Sequence, residues 1–280
     1  MTTILIPVFN DWKSLNKLLT ELNNTLKKNT KVKILVIDDN STIKSNFKIK
    51  SLKKIKQIKI LKLNKNVGSQ KAIALGLDYI RNTDFKDFII IMDGDGEDNP
   101  QEINKMLSLA NKDKNYVIVS CRTGRHDSVL MKLFYKLHLF LCFLFTGKWI
   151  SFGNFSCLHS NILKELFKDN SVWYAYSSGV IRNTKIRRTF AIRQKRYYGP
   201  SKMNLYGLID HSLRVISVSY ERVVFFSALY TFLIFNYSLN IGILFCFSVV
   251  IFNILIIAIK KKHFINKIDH RKFTKSIFKV

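Results

Sequence analysis

The stretch that decides the fold spans residues 87–102 and reads Asp-Phe-Ile-Ile-Ile-Met-Asp-Gly-Asp-Gly-Glu-Asp-Asn-Pro-Gln-Glu. Its apolar half predicts a strand that is covered on both faces, as in a mostly parallel sheet. Asp93, Asp95 and Glu97 then alternate, so an extended backbone would set their carboxylates on one side. Carboxylates this close repel each other unless a cation lies among them, and Mg²⁺ or Mn²⁺ prefers oxygen ligands. We predict a metal-nucleotide site; the alternative is an acidic turn before a helix that Pro100 starts.

Residues 1–121 alternate apolar runs with segments of helical spacing, which predicts a doubly wound α/β sheet. Strands are predicted over residues 3–9, 32–37, 58–63, 88–92 and 116–121. Asp38 and Asp39 follow the second of these strands. Acidic residues at a strand end can accept hydrogen bonds from a base or ribose, although a plain turn explains them as well.

The charge balance points to a polyanionic partner. Among 280 residues, 46 are Lys or Arg and 19 are Asp or Glu, which gives a net charge of +27. Nucleic acid and an anionic membrane surface are the two partners that such a charge favours. The basic residues are spread through the chain without a recognition motif, so we expect no nucleic acid. The four cysteines lack metal-site spacing, which argues against zinc or disulfides, and we expect no signal peptide.

The C-terminal third carries a long uncharged segment. No charged residue occurs over residues 223–259, a run of 37 residues. As one helix it would be about 56 Å long, whereas a hydrocarbon core is about 30 Å thick. We therefore predict two transmembrane helices joined at residues 236–240, with both basic flanks on the inner side. Residues 129–147 are apolar but contain two lysines, which favours an interfacial helix over a core helix.

Four sequence blocks occur in a recognisable order. They read Ile-Pro-Val-Phe-Asn-Asp at 6–11, Val-Ile-Asp-Asp-Asn-Ser-Thr at 36–42, Asn-Val-Gly followed by Ala-Ile-Ala-Leu-Gly-Leu within 66–77, and Met-Asp-Gly-Asp-Gly-Glu-Asp-Asn-Pro at 92–100. Together they resemble the family 2 glycosyltransferases, and most closely the polyprenyl-phosphate (dolichyl-phosphate) mannosyl- and glucosyltransferases. The resemblance implies a GT-A fold and the use of a nucleoside diphosphate sugar.

The resemblance also implies roles for individual residues. Mg²⁺ or Mn²⁺ would be bound by Asp93, Asp95 and Glu97. The nucleotide would contact Pro7, Phe9, Asp11, Asp38, Asp39 and Gly94. Within the basic stretch 187–202, Arg196 and Lys202 match the subgroup's Arg-x-x-Gly-x-Ser-Lys block and would bind phosphates of the donor or the lipid acceptor.

The acceptor decides whether the reaction needs a general base. The subgroup usually has an Asp before a Ser-Gly-Phe-Arg block, whereas residues 151–156 read Ser-Phe-Gly-Asn-Phe-Ser and contain none. A polyprenyl phosphate is already anionic and needs no strong base. A sugar hydroxyl on a lipid-linked saccharide, the alternative acceptor, would need one, and Asp127 and Asp98 are the candidates. The family implies inversion at the sugar carbon, with Asp95, Arg196 and Lys202 supporting the transfer.

These interpretations combine into a domain plan. A GT-A-like catalytic domain occupies residues 1–202, an amphipathic juxtamembrane helix 203–222, a transmembrane hairpin 223–259 and a basic cytoplasmic tail 260–280. We expect a multi-pass protein of the cell inner membrane with a cytoplasmic catalytic domain on anionic lipid, and a homo-oligomer stays open.

Three other classes compete with this reading. They are a phosphatase with an Asp-x-Asp pair, a membrane-tethered polyanion-binding protein and an inactive glycosyltransferase-like protein. A phosphatase would carry its Asp-x-Asp pair after the first strand, whereas here the pair follows the fourth.

Overall fold

The computed structural model describes residues 1–27, 30–45, 52–83, 87–123, 129–199 and 205–280. The chain divides into two compact units. The first contains residues 1–126, 152–201 and 267–280, and the second contains residues 127–151 and 202–266. This division differs from the predicted plan, because residues 127–151 leave the catalytic domain and the C-terminal 14 residues, 267–280, join it.

The first unit is an α/β fold. Its strands are β1 (Thr2–Val8), β2 (Val32–Asp38), β3 (Ile55–Leu63), β4 (Phe88–Ile91), β5 (Tyr116–Thr123), β6 (Phe152–His159), β7 (Lys185–Ile192) and β8 (Thr274–Lys279). Its helices are α1 (Trp12–Thr25), α2 (Ser69–Arg81), α3 (Glu102–Lys112), α5 (Leu163–Leu166), α6 (Ser171–Tyr174) and α7 (Tyr176–Asn183). Every strand predicted within residues 1–121 is present, with ends that differ from the prediction by at most three residues, and α1, α2 and α3 occupy the segments of helical spacing between them.

All eight described strands form one sheet, in the order β7-β5-β6-β4-β1-β2-β3-β8. β1, β2, β3 and β4 run parallel, and β5 runs parallel to β7. β6 is antiparallel to β4 and β5, and β8 is antiparallel to β3. The prediction of a mostly parallel sheet is therefore confirmed. Parallel strands place their carboxyl ends along the same edge, which is where open α/β sheets bind ligands.

Both faces of the central strands are covered by helices. α1 presents four buried leucines, Leu15, Leu18, Leu19 and Leu22. They pack in one apolar cluster with alternate residues of β1 and β2, and each buried leucine contributes about 1.5–3 kcal/mol. On α2, a Cβ at Gly76 would lie 2.6 Å from Leu5 Cδ1 and 2.9 Å from Ile37 Cδ1. Glycine at this position therefore lets α2 approach the sheet closely.

The C-terminal segment differs from its prediction as a basic tail on lipid. Residues 274–279 pair with β3 and form the edge of the sheet. His270 attaches the turn before β8 to α2, because its backbone N–H and its Nδ1 lie 2.8 and 2.7 Å from Asp78 Oδ2. Asp78 is buried, with 1% of its surface exposed. The segment pairs because β3 would otherwise leave an open row of backbone donors and acceptors, a requirement that local composition does not reveal.

The second unit is helical. Its helices are α4 (Val129–Thr146), α8 (Leu205–Ser217), α9 (Tyr220–Tyr237) and α10 (Leu239–Lys262). α9 and α10 are separated at Ser238, inside the segment predicted to join them. Among the described residues, α10 is the one helix that is long and apolar enough to cross a bilayer. α8 and α9 would supply a second only if this pair, bent by 89°, is counted as one span.

Candidate active site

The acidic loop, residues 93–98, follows β4 at the carboxyl edge of the sheet. Gly94 lies against β1, where an added Cβ would be 3.2 Å from Ile6 Cγ2 and 3.6 Å from the Pro7 carbonyl oxygen. This close approach brings the loop to the end of β1, where Phe9 and Asp11 also lie. The sheet therefore brings together residues that are more than 80 positions apart in the chain.

Internal hydrogen bonds fix the shape of the acidic loop. The Asp93 backbone N–H donates to Asp98 Oδ2 at 2.9 Å, and the Glu97 backbone N–H donates to Asp95 Oδ1 at 3.0 Å. Gly96 has φ +89°, a left-handed conformation that a side chain would strain. These hydrogen bonds and the conformation of Gly96 therefore fix the backbone path of the acidic loop.

A basic segment, residues 193–199, crosses the acidic loop. The backbone N–H groups of Gln194 and Tyr197 donate to the carbonyl oxygens of Glu97 and Asp95, both at 2.9 Å. Tyr197 also lies on Gly96, where any Cβ would overlap its ring. These main-chain bonds fix the register between the two segments, so the basic side chains meet particular carboxylates.

Two arginines of the basic segment pair with the acidic side chains. Arg193 contacts Glu97 through its Nε at 3.1 Å and also through Nη2. Arg196 donates from Nη1 to Asp95 Oδ2 at 2.9 Å and from Nη2 to Asp11 Oδ2 at 3.0 Å. A guanidinium fork suits this double contact because its donors are fixed in one plane. The site thus holds carboxylates and guanidiniums in direct contact.

Burial and neighbouring negative charges disfavour the ionised form of the Asp95 carboxyl group. Burial raises the pKa of Asp95 to about 7, with further contributions from the charges of Asp93 and Glu97. The Glu97 backbone N–H and Arg196 act in the opposite direction. A cation bound beside Asp95 would stabilise its ionised carboxylate. The oxygen-only donor set also fits Mg²⁺ or Mn²⁺, which prefer hard ligands.

Comparison with known proteins places this chain in a family. The sequence profile described as "Glycosyl transferase family 2" matches residues 3–169, which include every strand from β1 to β6. The chain belongs to glycosyl transferase family 2. The resemblance drawn from the four sequence blocks is therefore confirmed.

Two proteins with similar sequences are named as transferases that act on undecaprenyl phosphate. The undecaprenyl-phosphate 4-deoxy-4-formamido-L-arabinose transferase of Yersinia enterocolitica is 27% identical over 216 residues, covering 74% of this chain and 64% of that protein. The protein of the same name from Proteus mirabilis is 26% identical over 217 residues, with the same coverage. The chain thus spans less than two thirds of the length of these curated relatives.

Solved structures show the same fold at low identity. S. aureus TarS 1–349 in complex with UDP-GlcNAc has a TM-score of 0.51 and 16% identity, covering 78% of this chain and 66% of that one. Glucosyl-3-phosphoglycerate synthase from Mycobacterium tuberculosis, in complex with Mn²⁺, UDP-glucose and phosphoglyceric acid, has a TM-score of 0.53 and 12% identity, covering 80% and 79%. These matches support the GT-A assignment of the sheet.

The acidic residues after β2 contact the backbone of neighbouring loops. Asp39 accepts the Val67 N–H at 2.7 Å and the Gly68 N–H at 2.9 Å, and Asp38 accepts the Ser41 N–H at 2.8 Å. Burial raises the pKa of Asp39 to about 6, against the effect of those two N–H groups. Asp39 therefore holds the turn before α2 through both of its carboxylate oxygens. Its role at a base or ribose stays a prediction.

Five of the predicted site residues lie near one another, and two others are not described by the structure. Asp11, Asp93, Asp95, Glu97 and Arg196 meet in one place. Lys202 and Asp127 lie outside the described residues, so their predicted roles are neither met nor contradicted.

Three residues that support the acidic loop had no role assigned from the sequence. Arg193 stood in the predicted basic stretch but had no assigned partner. Asn154 donates to Asp93 Oδ1 at 2.9 Å, and Gln70 donates to Asn154 Oδ1 at 2.9 Å. Neither residue had a predicted role, although the missing Asp of residues 151–156 drew attention to the region of Asn154.

A second group of possible ligands lies in the first unit. Asp78, Asp269 and His270 bring one ligand atom each within 4.8 Å of one another. Their hydrogen bonds already explain the arrangement, because Asp78 bonds to His270 and Arg81, and Asp269 bonds to Arg271. The His270 bonds attach the C-terminal segment to α2, so this group has a structural role. The metal role of the acidic loop stays a prediction.

Proposed function

We propose that this chain transfers a sugar from a nucleoside diphosphate sugar to a polyprenyl phosphate at the cytoplasmic face of a membrane. The observation that carries this proposal is the contact between Asp95 and Arg196 beside Asp11, at the carboxyl edge of the sheet. Such an arrangement offers ligands for a cation and donors for phosphate oxygens in one place. The names of the family 2 relatives support the polyprenyl phosphate as acceptor.

Each side chain of the site would have a defined task. Asp93, Asp95 and Glu97 would hold Mg²⁺ or Mn²⁺, which when bound supplies positive charge to the leaving diphosphate. An ion at Asp95 would take the place of Arg196, whose guanidinium would then be available to a phosphate. Lys202, six positions further along, would add a second positive charge.

The nucleotide would lie at the end of β1. Pro7 and Phe9 would border the base, and Gly94 would let the nucleotide approach the loop backbone. If Arg196 turned to a phosphate, it would no longer contact Asp11. The Asp11 carboxylate could then accept hydrogen bonds from the nucleotide. Asp38 and Asp39 would act through the loops that their hydrogen bonds hold.

The position of Asp98, one of the two general-base candidates, supports a polyprenyl phosphate as the acceptor. Asp98 is 3% exposed and accepts the Asp93 backbone N–H, so it shapes the acidic loop and is poorly placed to receive a substrate proton. This arrangement supports an acceptor that is already anionic. An oxygen of the lipid phosphate would form the new bond to the sugar carbon while the bond to the diphosphate breaks, with inversion.

The donor and acceptor can be tested together. Membranes containing the full chain would be incubated with a panel of radiolabelled uridine and guanosine diphosphate sugars, with and without added undecaprenyl phosphate, and then extracted with organic solvent. We expect one donor to label the lipid fraction, the labelling to require the added lipid phosphate, and chelation of divalent ions to abolish it. Labelling that requires a lipid-linked saccharide would contradict the proposed acceptor.

The second unit supplies the proposed membrane anchor. We infer that α9 and α10 form a transmembrane hairpin, with lengths of about 27 and 36 Å from 18 and 24 residues. Connectivity supports an even number of crossings, because residues 201 and 267 at its two ends belong to the same folded unit. The Asn253 side chain donates to Ser227 Oγ at 3.1 Å, a polar contact between the two helices. α4 and α8 would lie along the interface.

Labelling of single cysteines would test the hairpin. Asn240 is exposed at the start of α10, and Ser276 is exposed on β8. In a background lacking the native Cys246, we expect Asn240→Cys and Ser276→Cys to react with a membrane-impermeant maleimide from opposite sides of sealed vesicles. Reaction of both cysteines from the same side would contradict the crossing.

A further inference from the structure

A chain of buried amide groups leads to Asp93 from the interior of the first unit. Asn154 Nδ2 donates to Asp93 Oδ1 at 2.9 Å, and Gln70 Nε2 donates to Asn154 Oδ1 at 2.9 Å. The Tyr176 backbone N–H donates to Gln70 Oε1 at 2.8 Å. These residues come from β6, α2 and the start of α7, so three separate elements contribute to one continuous chain of hydrogen bonds.

The pairing of β6 with β4 explains why Asn154 reaches Asp93. The two strands are antiparallel, with Ile91 opposite Ser156. Continuing that register by two residues sets position 93 opposite position 154. Asn154 and Gln70 are nearly buried, with 8% and 9% of their surfaces exposed. Buried amides require partners, and here each amide supplies a partner of the next.

The direction of the hydrogen bonds is fixed at one end. A backbone N–H can only donate, so Gln70 must present its oxygen to Tyr176 and its nitrogen to Asn154. Asn154 must then present its oxygen to Gln70 and its nitrogen to Asp93. An isolated side-chain amide could exchange the positions of its oxygen and nitrogen by rotation, but these hydrogen bonds hold the Asn154 amide in a single orientation. Asp93 therefore always faces an N–H donor.

We propose that Asn154, oriented by Gln70, is a positioning residue that holds the Asp93 carboxylate in the geometry that binds the divalent ion. The inference rests on the metal role assigned to Asp93 in the proposed function. A neutral amide suits this place better than an acid, because it adds a donor without adding another negative charge beside the acidic loop. Partners of this kind typically change metal affinity 10–100-fold when they are removed.

The test measures Mn²⁺ binding directly, without turnover. Purified full chain in detergent would be titrated with Mn²⁺, and the free ion would be followed by electron paramagnetic resonance. We expect Asn154→Ala to weaken binding by about 10-fold or more. Gln70→Met, which keeps the size of the side chain, should weaken it less. The double variant should lie within about twofold of Asn154→Ala, because both substitutions interrupt the same chain of hydrogen bonds.

Ser156→Ala provides a matched control. Ser156 is fully buried two positions along β6. Its hydroxyl donates to the Asn154 backbone carbonyl at 2.9 Å and lies 2.7 Å from the Tyr176 hydroxyl, but its described bonds do not include the side chains of Asn154, Gln70 or Asp93. We expect this variant to bind Mn²⁺ as the unaltered chain does. Equal weakening by Ser156→Ala and Asn154→Ala, or a double variant whose loss is the product of the single losses, would overturn the inference.

Two further measurements keep the result interpretable. Thermal unfolding identifies any variant that fails to fold, and if Gln70→Met fails, the comparison of Asn154→Ala with Ser156→Ala still decides. Asp93→Asn should abolish the specific Mn²⁺ binding of the unaltered chain. If it does not, the metal role of Asp93 is wrong and the positioning role is overturned with it. If it does and Asn154→Ala binds normally, the positioning role alone fails.

Discussion

Replacing Asp95 with asparagine is expected to reduce sugar transfer by at least about 10²–10³-fold, which corresponds to about 3–4 kcal/mol of lost transition-state stabilisation. Asp95 is the central acid of the loop: burial raises its pKa, the charges of Asp93 and Glu97 raise it further, and Arg196 contacts its Oδ2. An asparagine keeps the size and can still accept the Glu97 backbone N–H, so the loop should fold. The lost charge should weaken both ion binding and the hold on Arg196.

Three measurements would check this expectation: initial rates of labelled lipid formation, Mn²⁺ titration and thermal unfolding. Asp113→Asn is the matched control, because Asp113 accepts a backbone N–H two positions ahead, as Asp95 does, but lies at the end of α3. We expect the control to retain full activity. Wild-type turnover by Asp95→Asn would remove the metal role from the acidic loop.

Removing residues 267–280 is expected to destabilise the catalytic unit severely. The deletion uncovers the edge of β3 and removes two bonds to Asn64, which donates from its backbone N–H to Phe273 and from its side chain to Lys272, at 2.8 and 3.1 Å. It also leaves the buried Asp78 without His270. Asp78 keeps its contact with Arg81, but each lost hydrogen bond to a charged group contributes about 1.5–3 kcal/mol. The loss is a sizeable part of the stability of a typical domain, about 5–15 kcal/mol.

Thermal unfolding and limited proteolysis of the chain ending at residue 266 would measure this loss. Two single substitutions separate the contributions. His270→Ala removes the side-chain contact to Asp78 and should lower the unfolding temperature clearly, whereas Lys275→Ala, on the exposed side of β8, should leave it unchanged. A shortened chain that unfolds at the original temperature would show that β8 contributes little to the sheet.

Local sequence pattern was sufficient for the first half of the fold. Apolar runs of strand length and leucines at helical spacing fix β1 to β5 and the helices between them, because both signals depend on neighbouring residues. The acidic loop was predicted for the same reason, since its charges and glycines directly follow the strand that positions it. Its basic partners were predicted by residue type, and Arg196 does contact the loop.

Contacts between distant residues were the part that the sequence did not predict. Gln70 and Asn154 are 84 positions apart, and neither belongs to a pattern that names the other. The hydrogen-bond partners of Asp39 were also not predictable from the sequence. Its place at a strand end was recognised, but its two backbone partners depend on how residues 66–68 return to it. β8 was missed because a short basic segment becomes a strand only through its pairing with β3.

The position of β8 has a consequence for biosynthesis. β8 follows α9 and α10 in the chain, although it pairs with β3, which precedes both helices. During translation β3 therefore has no partner on this side until both apolar helices have been synthesised. A product terminated before residue 274 would contain every other described strand and would lack this edge of the sheet.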